Sequence, residues 1–282
     1  MKNYGVNLEL EKQHQKDTVW IFGADSDSCD AQIPENERTS CLPLGEIQRG
    51  REDFMDCATR SPLNILETKL NFLLKSNKLP AEHRNFLDSN GYITDQGIQL
   101  SDRFIAVLSG TTRNGNSLVA PIEALRKNGV IPKKLLPAMA DMGWDEYHDK
   151  EAITQAMRNL GIRFLDFFSI NFEKVLEQDF EALLKKDLLA VAGYAWPFPV
   201  NGEYPKNDYQ INHAFMAYRT PKYFIFDNYI DSVDGDFIKK LDSQYDLLDY
   251  GYRIYLTIQI PRPKVNWWQL IKGFFIKRKV VQ

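Results

Sequence analysis

Cys57, His213, Asp227 and Asn228 are the residues whose types and placement could together do covalent chemistry. A thiol attacks a carbonyl only as the thiolate, so a nucleophilic cysteine needs surroundings that favour the anion near neutral pH. The positive end of a helix dipole is one such setting and an adjacent imidazolium is another. Cys57 stands where the strongest helical pattern of the chain begins, since Leu63, Leu66, Leu70 and Leu73 recur at helical spacing behind it. Asp56 reads as the cap of that helix, and Pro62 falls within its first two turns. Asp56, Glu52 and Asp53 also bring negative charge close to the thiol, which opposes its ionisation.

A catalytic imidazole needs a carboxamide or carboxylate to fix its tautomer. His213 opens the strand-like run Ala214-Phe215-Met216-Ala217-Tyr218, and the chain returns through Tyr223-Phe224-Ile225-Phe226 after a turn around Thr220-Pro221. Side chains alternate between the faces of a strand, so the parity of the connection decides which residue His213 meets. An even loop puts Asn228 on the face of His213, whereas an odd one selects Asp227. Pro221 disfavours a tight two-residue turn, and a four-residue loop keeps the even count.

The elements that must carry these residues change character along the chain. Helices are expected at Val119–Asn128, closed by Gly129, and at residues 150–160 and 172–185. Beyond residue 187 the chain turns β-branched and aromatic, with strand-like runs at 188–194, His213–Arg219, 223–229 and 251–260. Residues 1–41 form a polar, irregular extension with Trp20-Ile21-Phe22 as its one apolar anchor.

The order Cys57, His213, Asn228 resembles the papain-like cysteine peptidases, whose histidine and asparagine also lie well downstream of the cysteine. Asn212-His213-Ala214 looks like the histidine strand of that family, the 223–228 run like its asparagine strand, and Gly251-Tyr252-Arg253-Ile254 like its Gly-Tyr strand. Asn114-Gly115-Asn116 resembles the glycine-containing wall of the family's substrate cleft, and residues 188–194 its first barrel strand. The likeness implies an α+β fold spanning residues 42–260, with a helical lobe to about residue 187 and an antiparallel, barrel-like strand lobe beyond. It implies Cys57 as nucleophile, His213 as proton carrier and Asn228 as the group that orients it. Asn114, Gly115 and Asn212 would line the substrate site. A glutamine ahead of the cysteine serves the oxyanion in this family, and Gln48, nine residues before Cys57, is the candidate here. The chain departs from the family around the thiol, where it reads Met55-Asp56-Cys57-Ala58-Thr59. The implied reaction is amide hydrolysis of a peptide or protein substrate, without metal or cofactor. The rival reading is a papain-like scaffold without catalysis, serving as a structural or binding component of a larger assembly such as a phage particle.

Composition narrows the field. Of 282 residues, 44% are hydrophobic, enough for a sizeable core, and the net charge of −3 gives no electrostatic footprint for nucleic acid. Three cysteines and four scattered histidines show no metal-ligand spacing, and an odd cysteine count argues against a disulfide framework. No apolar signal segment opens the chain, so the expected location is the cytoplasm of the producing cell, or the virion for a phage-encoded protein. With 56 residues ahead of Cys57, a long inhibitory propeptide is not expected. The segment 261–282 is basic and aromatic, and Trp267, Trp268, Phe274 and Phe275 suit a partner protein or a membrane surface.

Overall fold

A buried helix and the sheet it leans on set the frame of this computed structural model, which describes residues 5–17, 30–196, 199–206, 210–220, 223–230, 235–242 and 244–259. The aromatic anchor at Trp20–Phe22, Cys29 and the basic tail 261–282 lie outside the described residues. The chain begins with helices α1 (Leu8–Asp17), α2 (Glu35–Cys41), α3 (Cys57–Lys75) and α4 (Ala81–Asn90). A short hairpin of β1 (Ile93–Thr94) and β2 (Gly97–Ile98) precedes α5 (Asp102–Leu108), α6 (Val119–Asn128), α7 (Trp144–Tyr147) and α8 (Gln155–Phe167). Strand β3 (Phe168–Leu176) and helix α9 (Phe180–Leu184) lead into β4 (Leu189–Gly193), β5 (His213–Arg219), β6 (Phe224–Phe226), β7 (Ile238–Lys240) and β8 (Tyr250–Ile258).

Helix α3 begins at Cys57, as the leucine spacing predicts, and is buried almost all round. Such a helix must satisfy its own polar side chains. Glu67 accepts from Leu100 N–H, the Asn71 carboxamide spans Ile98 N–H and the Cys41 carbonyl, and Lys69 meets Asp30 and Asp187. Ser61 Oγ donates to the Phe215 carbonyl at 2.8 Å, which ties α3 to the centre of the sheet.

Six strands run in the order β3-β8-β4-β5-β6-β7, every pair antiparallel. Both faces of the sheet are covered. Ala214, Met216 and Tyr218 join the main core with α3, whereas Phe215 and Ala217 pack with Val191, Leu189, Ile225 and Leu241 in a second cluster. The architecture is α+β: a helical half against an antiparallel sheet whose strand order is open, with β3 and β7 at its edges.

One expected helix is only partly there. The first five residues of segment 172–185, Phe172–Leu176, lie in β3, paired residue for residue with β8 from Phe168↔Ile258 to Leu176↔Tyr250, and a 3-10 turn at Glu177–Asp179 leads into the short α-helix Phe180–Leu184. The run Phe168-Ser169-Ile170-Asn171 alternates apolar and polar, and that period of two decides for strand once β8 offers an edge. Consequently a strand from before residue 187 joins the sheet of the C-terminal half. The helix expected at residues 150–160 starts later, at Gln155, behind a Thr154 cap whose hydroxyl accepts from Met157 N–H.

Candidate active site

Cys57 is the first residue of α3, and its sulfur is fully buried beside the sheet, where Ala214 N–H points at Sγ from 3.4 Å. Ala214 follows His213, so the start of β5 brings the imidazole-bearing residue to the thiol-bearing helix end. His213 is fully buried as well, and its Nε2 lies 2.6 Å from Asp227 Oδ1. Trp196 stands edge-on to the imidazole at 5.5 Å between ring centres, and the Tyr229 ring lies 5.2 Å away.

The partner of His213 is therefore Asp227, and the expectation for Asn228 needs correcting. Asn228 Oδ1 accepts from Asn64 Nδ2 at 3.0 Å, and its own Nδ2 donates to the Glu46 carbonyl at 3.1 Å, so it fastens α3 to the segment before the thiol. The cause is a β-bulge. Arg219 pairs with Phe224 across a four-residue connection, as an even loop requires, but the next pair is Ala217↔Ile225. Tyr218 is the extra residue, and it flips the parity of everything below it. His213, Phe215 and Ala217 then share a face with Ile225, Asp227 and Tyr229.

Asp227 is held on several sides. Its Oδ2 accepts from Trp196 Nε1 at 2.8 Å and from Lys239 Nζ at 3.0 Å. Burial pushes this carboxyl up, but His213 and Lys239 outweigh burial and hold it at about 2.

The thiol is in the opposite condition. Burial drives the Cys57 thiol well above its ordinary range; the Ala214 N–H pulls the other way, and the charges of Asp56, Asp53 and Asp227 add to the rise. Asp56 does not cap α3 with its side chain. Its carboxylate instead receives Arg60 Nε at 3.0 Å and the Tyr147 hydroxyl, and Arg60 also reaches Asp102. An arginine four residues ahead on the same helix is a stronger partner than a neighbouring N–H, so the cap is lost to the ion pair. Burial, only partly offset by Arg60, pushes Asp56 up to about 6.

Gln48 is fully buried and its Nε2 donates to Asp53 Oδ1 at 3.2 Å. The long loop between Gln48 and Cys57 is a closed turn: Arg49 bridges to Asp53, and Phe54 N–H returns to the Gln48 carbonyl. Asp53 also accepts from Met55 N–H and from the Tyr229 hydroxyl. Met55 sits at φ 54°, a left-handed conformation that costs a non-glycine residue energy, two positions before the thiol.

The expected cleft wall has an occupant that the sequence did not announce. Asn116 N–H donates to the Gly5 carbonyl and Asn7 N–H to the Asn116 carbonyl, both at 2.8 Å, in a parallel bridge between Val6 and Asn116. From the other side Val6 N–H donates to the Asn212 carbonyl at 3.2 Å. The segment 5–7 thus threads between Asn116 and Asn212. Gly5 has φ +115°, and a Cβ there would fall 2.7 Å from the Met55 carbonyl oxygen and 2.9 Å from Cys57 Sγ. Only glycine fits. Gly115, at φ +83°, packs directly against Gly5, and the exposed Asn114 lies at the tip of the same turn, its N–H donating to Thr112 Oγ1. Asn212 Oδ1 accepts from Ala195 N–H at 3.0 Å, which fixes the approach to His213.

No family model and no curated protein matches the chain. Solved structures do. The chain is similar to procathepsin B S9 from Trypanosoma congolense, with a TM-score of 0.50 and 8% identity over 86% of this chain and 84% of that one. It is also similar to the bromelain protease from Ananas comosus in complex with the E64 inhibitor (TM-score 0.48, 12% identity, 81% and 99% covered). Xylellain, a cysteine protease from Xylella fastidiosa, follows at a TM-score of 0.47 and 13% identity, with 88% and 93% covered. The likeness to procathepsin B shows the fold: the α+β, two-lobed arrangement of the papain-like cysteine proteases.

Proposed function

We propose that the chain is a cysteine peptidase in which Cys57 is the nucleophile, His213 the proton carrier and Asp227 the residue that orients His213. The observation that carries this reading is the 2.6 Å bond from His213 Nε2 to Asp227, on a histidine whose chain neighbour Ala214 directs its N–H at the Cys57 sulfur. With Nε2 committed to Asp227, the proton exchange with Cys57 falls to Nδ1. The thiolate adds to the carbonyl carbon of an amide, forming a C–S bond. His213 gives its proton to the departing amine as the C–N bond breaks. Water then attacks the acyl-enzyme, His213 takes the water's proton, and the C–S bond breaks to return the thiolate. Gln48 and backbone N–H groups at the start of α3 would receive the oxyanion.

The second reading, a non-catalytic papain-like scaffold, has one observation in its favour. Cys57 is buried beneath Gly5 and its thiol is pushed well up. Labelling with a peptidyl epoxide, located by mass spectrometry, separates the two. The peptidase reading expects the label on Cys57 alone, with loss of labelling in His213→Ala. Equal labelling of Cys29, Cys41 and Cys57 with one ordinary thiol pH profile would hand the case to the scaffold.

A further inference from the structure

Strand β7 carries a buried lysine into the same group. The register Ile225↔Lys239 puts Lys239 on the face of the sheet that holds Ile225, and hence Asp227 two residues further on. Lys239 is 2% exposed. Its ammonium donates to Asp227 Oδ2 at 3.0 Å and to the Tyr229 carbonyl, and it lies 5.2 Å from the centre of the Trp196 ring. A lysine this deep is costly to bury unless its charge is matched. Asp227 bonds to His213, and the rings of Tyr229 and Trp196 lie beside the imidazole.

A carboxylate and a carboxamide are not equivalent next to an imidazole. A lone buried carboxylate binds the imidazolium strongly and resists giving up its proton, and it also raises the energy of a nearby thiolate. A carboxamide orients the ring without a net charge. The ion pair of Asp227 with Lys239 carries no net charge either, yet it presents Oδ1 to His213 Nε2.

We infer that Lys239 is a positioning residue for His213: it holds Asp227 by Oδ2, aims Oδ1 at the imidazole, and cancels the charge that a carboxylate brings to this site. The inference rests on the reading of His213 and Asp227 as working members of the site. The groups around His213 are Asp227 at the end of β6, Lys239 from β7 behind it, the rings of Trp196 and Tyr229, with Asp53 on the Tyr229 hydroxyl, and, on α3, Cys57, whose sulfur receives the N–H of the adjoining Ala214.

The test follows the His213 ring protons by NMR as pH is varied in the full-length protein, which needs no turnover and so stands apart from the peptidase reading. Lys239→Met removes a positive charge and should move the His213 titration midpoint up by about one pH unit, while Lys239→Arg should restore it. Asp227→Asn should move it down, and the double variant Asp227→Asn/Lys239→Met should return close to the parent. A Lys239→Met protein that titrates like the parent overturns the inference. Should Lys239→Met not fold, the double variant leaves no charge stranded and is compared with Asp227→Asn alone. A midpoint about one unit higher in the double variant sustains the inference, and equal midpoints overturn it.

Discussion

Gly5 lies against Cys57: the space its missing side chain would need is taken by the thiol sulfur and by the carbonyl oxygen of Met55. The consequence is a site closed by the chain's own N-terminal segment. Val6 is buried in the main core, and the hydrogen bonds from Asn116, to Asn116 and to Asn212 hold segment 5–7 from both sides. The same burial that hides the sulfur is the first cause of its raised titration, so a closed site and a protonated thiol are one condition.

Gly5→Val tests that condition. A β-branched residue at φ +115° that also meets Cys57 and Met55 costs about 1–3 kcal/mol in the closed form, which enlarges the open population about 5- to 150-fold. Alkylation of Cys57 by a small neutral reagent at pH 8 should quicken by that factor, while buried Cys41 stays slow. An unchanged Cys57 rate in a folded Gly5→Val protein would show that residues 5–7 do not control access.

A second residue secures the segment from further along. Glu11 is 1% exposed, and its Oε2 accepts from Leu118 N–H and Val119 N–H at the start of α6, while Oε1 accepts from the Tyr252 hydroxyl at 2.7 Å. A carboxylate at a helix N-terminus is favoured both by the dipole and by the unpaired N–H groups there. Glu11→Ala leaves those donors buried without a partner, at a cost of about 1–3 kcal/mol. Amide exchange in residues 5–17 should accelerate and Cys57 alkylation should rise with it. A lower melting temperature with an unaltered Cys57 rate would make α1 a structural brace and nothing more.

Asp227 and Asn228 should separate cleanly on stability as well as on chemistry. The folded carboxyl of Asp227 sits at about 2 against an ordinary 3.8, so its contribution is present above 3.8 and lost as pH falls through about 2. The difference corresponds to about 2 kcal/mol at neutral pH. Urea unfolding of Asp227→Asn should show that deficit at pH 7 and a smaller one at pH 3. Asn228→Ala should lose stability equally at both pH values, since its bonds to Asn64 and to the Glu46 carbonyl involve no titrating group. A pH-independent deficit in Asp227→Asn would contradict the depressed carboxyl.

What was legible in the sequence was whatever a single element encodes. The leucine spacing located α3 and its start at Cys57, and Val119–Asn128 closed by Gly129 is helix α6. What failed depended on a neighbour. Asn228 was favoured over Asp227 because the turn was counted and the bulge at Tyr218 was not, and one extra residue moves every later side chain to the opposite face. Segment 172–185 mixes two periods, and only the free edge of β8 decides for strand. Lys239 carries no motif; its meaning comes from the register that sets it opposite Ile225. Gly5 and Val6 look like any polar N-terminus until Asn116 and Asn212 are brought to either side of them.

The last prediction concerns the charges that lock α3 to the sheet. Lys69 is fully buried and its Nζ donates to Asp30 at 2.8 Å and 2.9 Å and to Asp187 at 3.1 Å. Arg253 Nε closes the group by donating to Asp187 Oδ2 at 2.7 Å, and Asp30 Oδ1 accepts from Leu256 N–H. Four separate parts of the chain meet there: the segment before α2, the middle of α3, the entry to β4 and the centre of β8. Burial pushes Asp30 up to about 6 even with Lys69 beside it, whereas Asp187, equally buried, is held below the ordinary carboxylate range by Lys69 and Arg253. A group raised in this way favours folding most when protonated, and that advantage is lost as pH rises through about 6. Lys69→Met removes the cation common to both carboxylates and leaves two buried anions to one arginine, so about 3–5 kcal/mol of stability should go at pH 7. Part of it should come back as pH is lowered towards 5 and Asp30 takes up its proton, and Asp30→Asn in the Lys69→Met background should recover part of it at neutral pH. Chemical denaturation of the three variants between pH 5 and pH 8 decides the matter. A deficit under about 1 kcal/mol, or one that does not vary with pH, would mean that α3 is held by its apolar contacts alone and that the ion cluster only fills space.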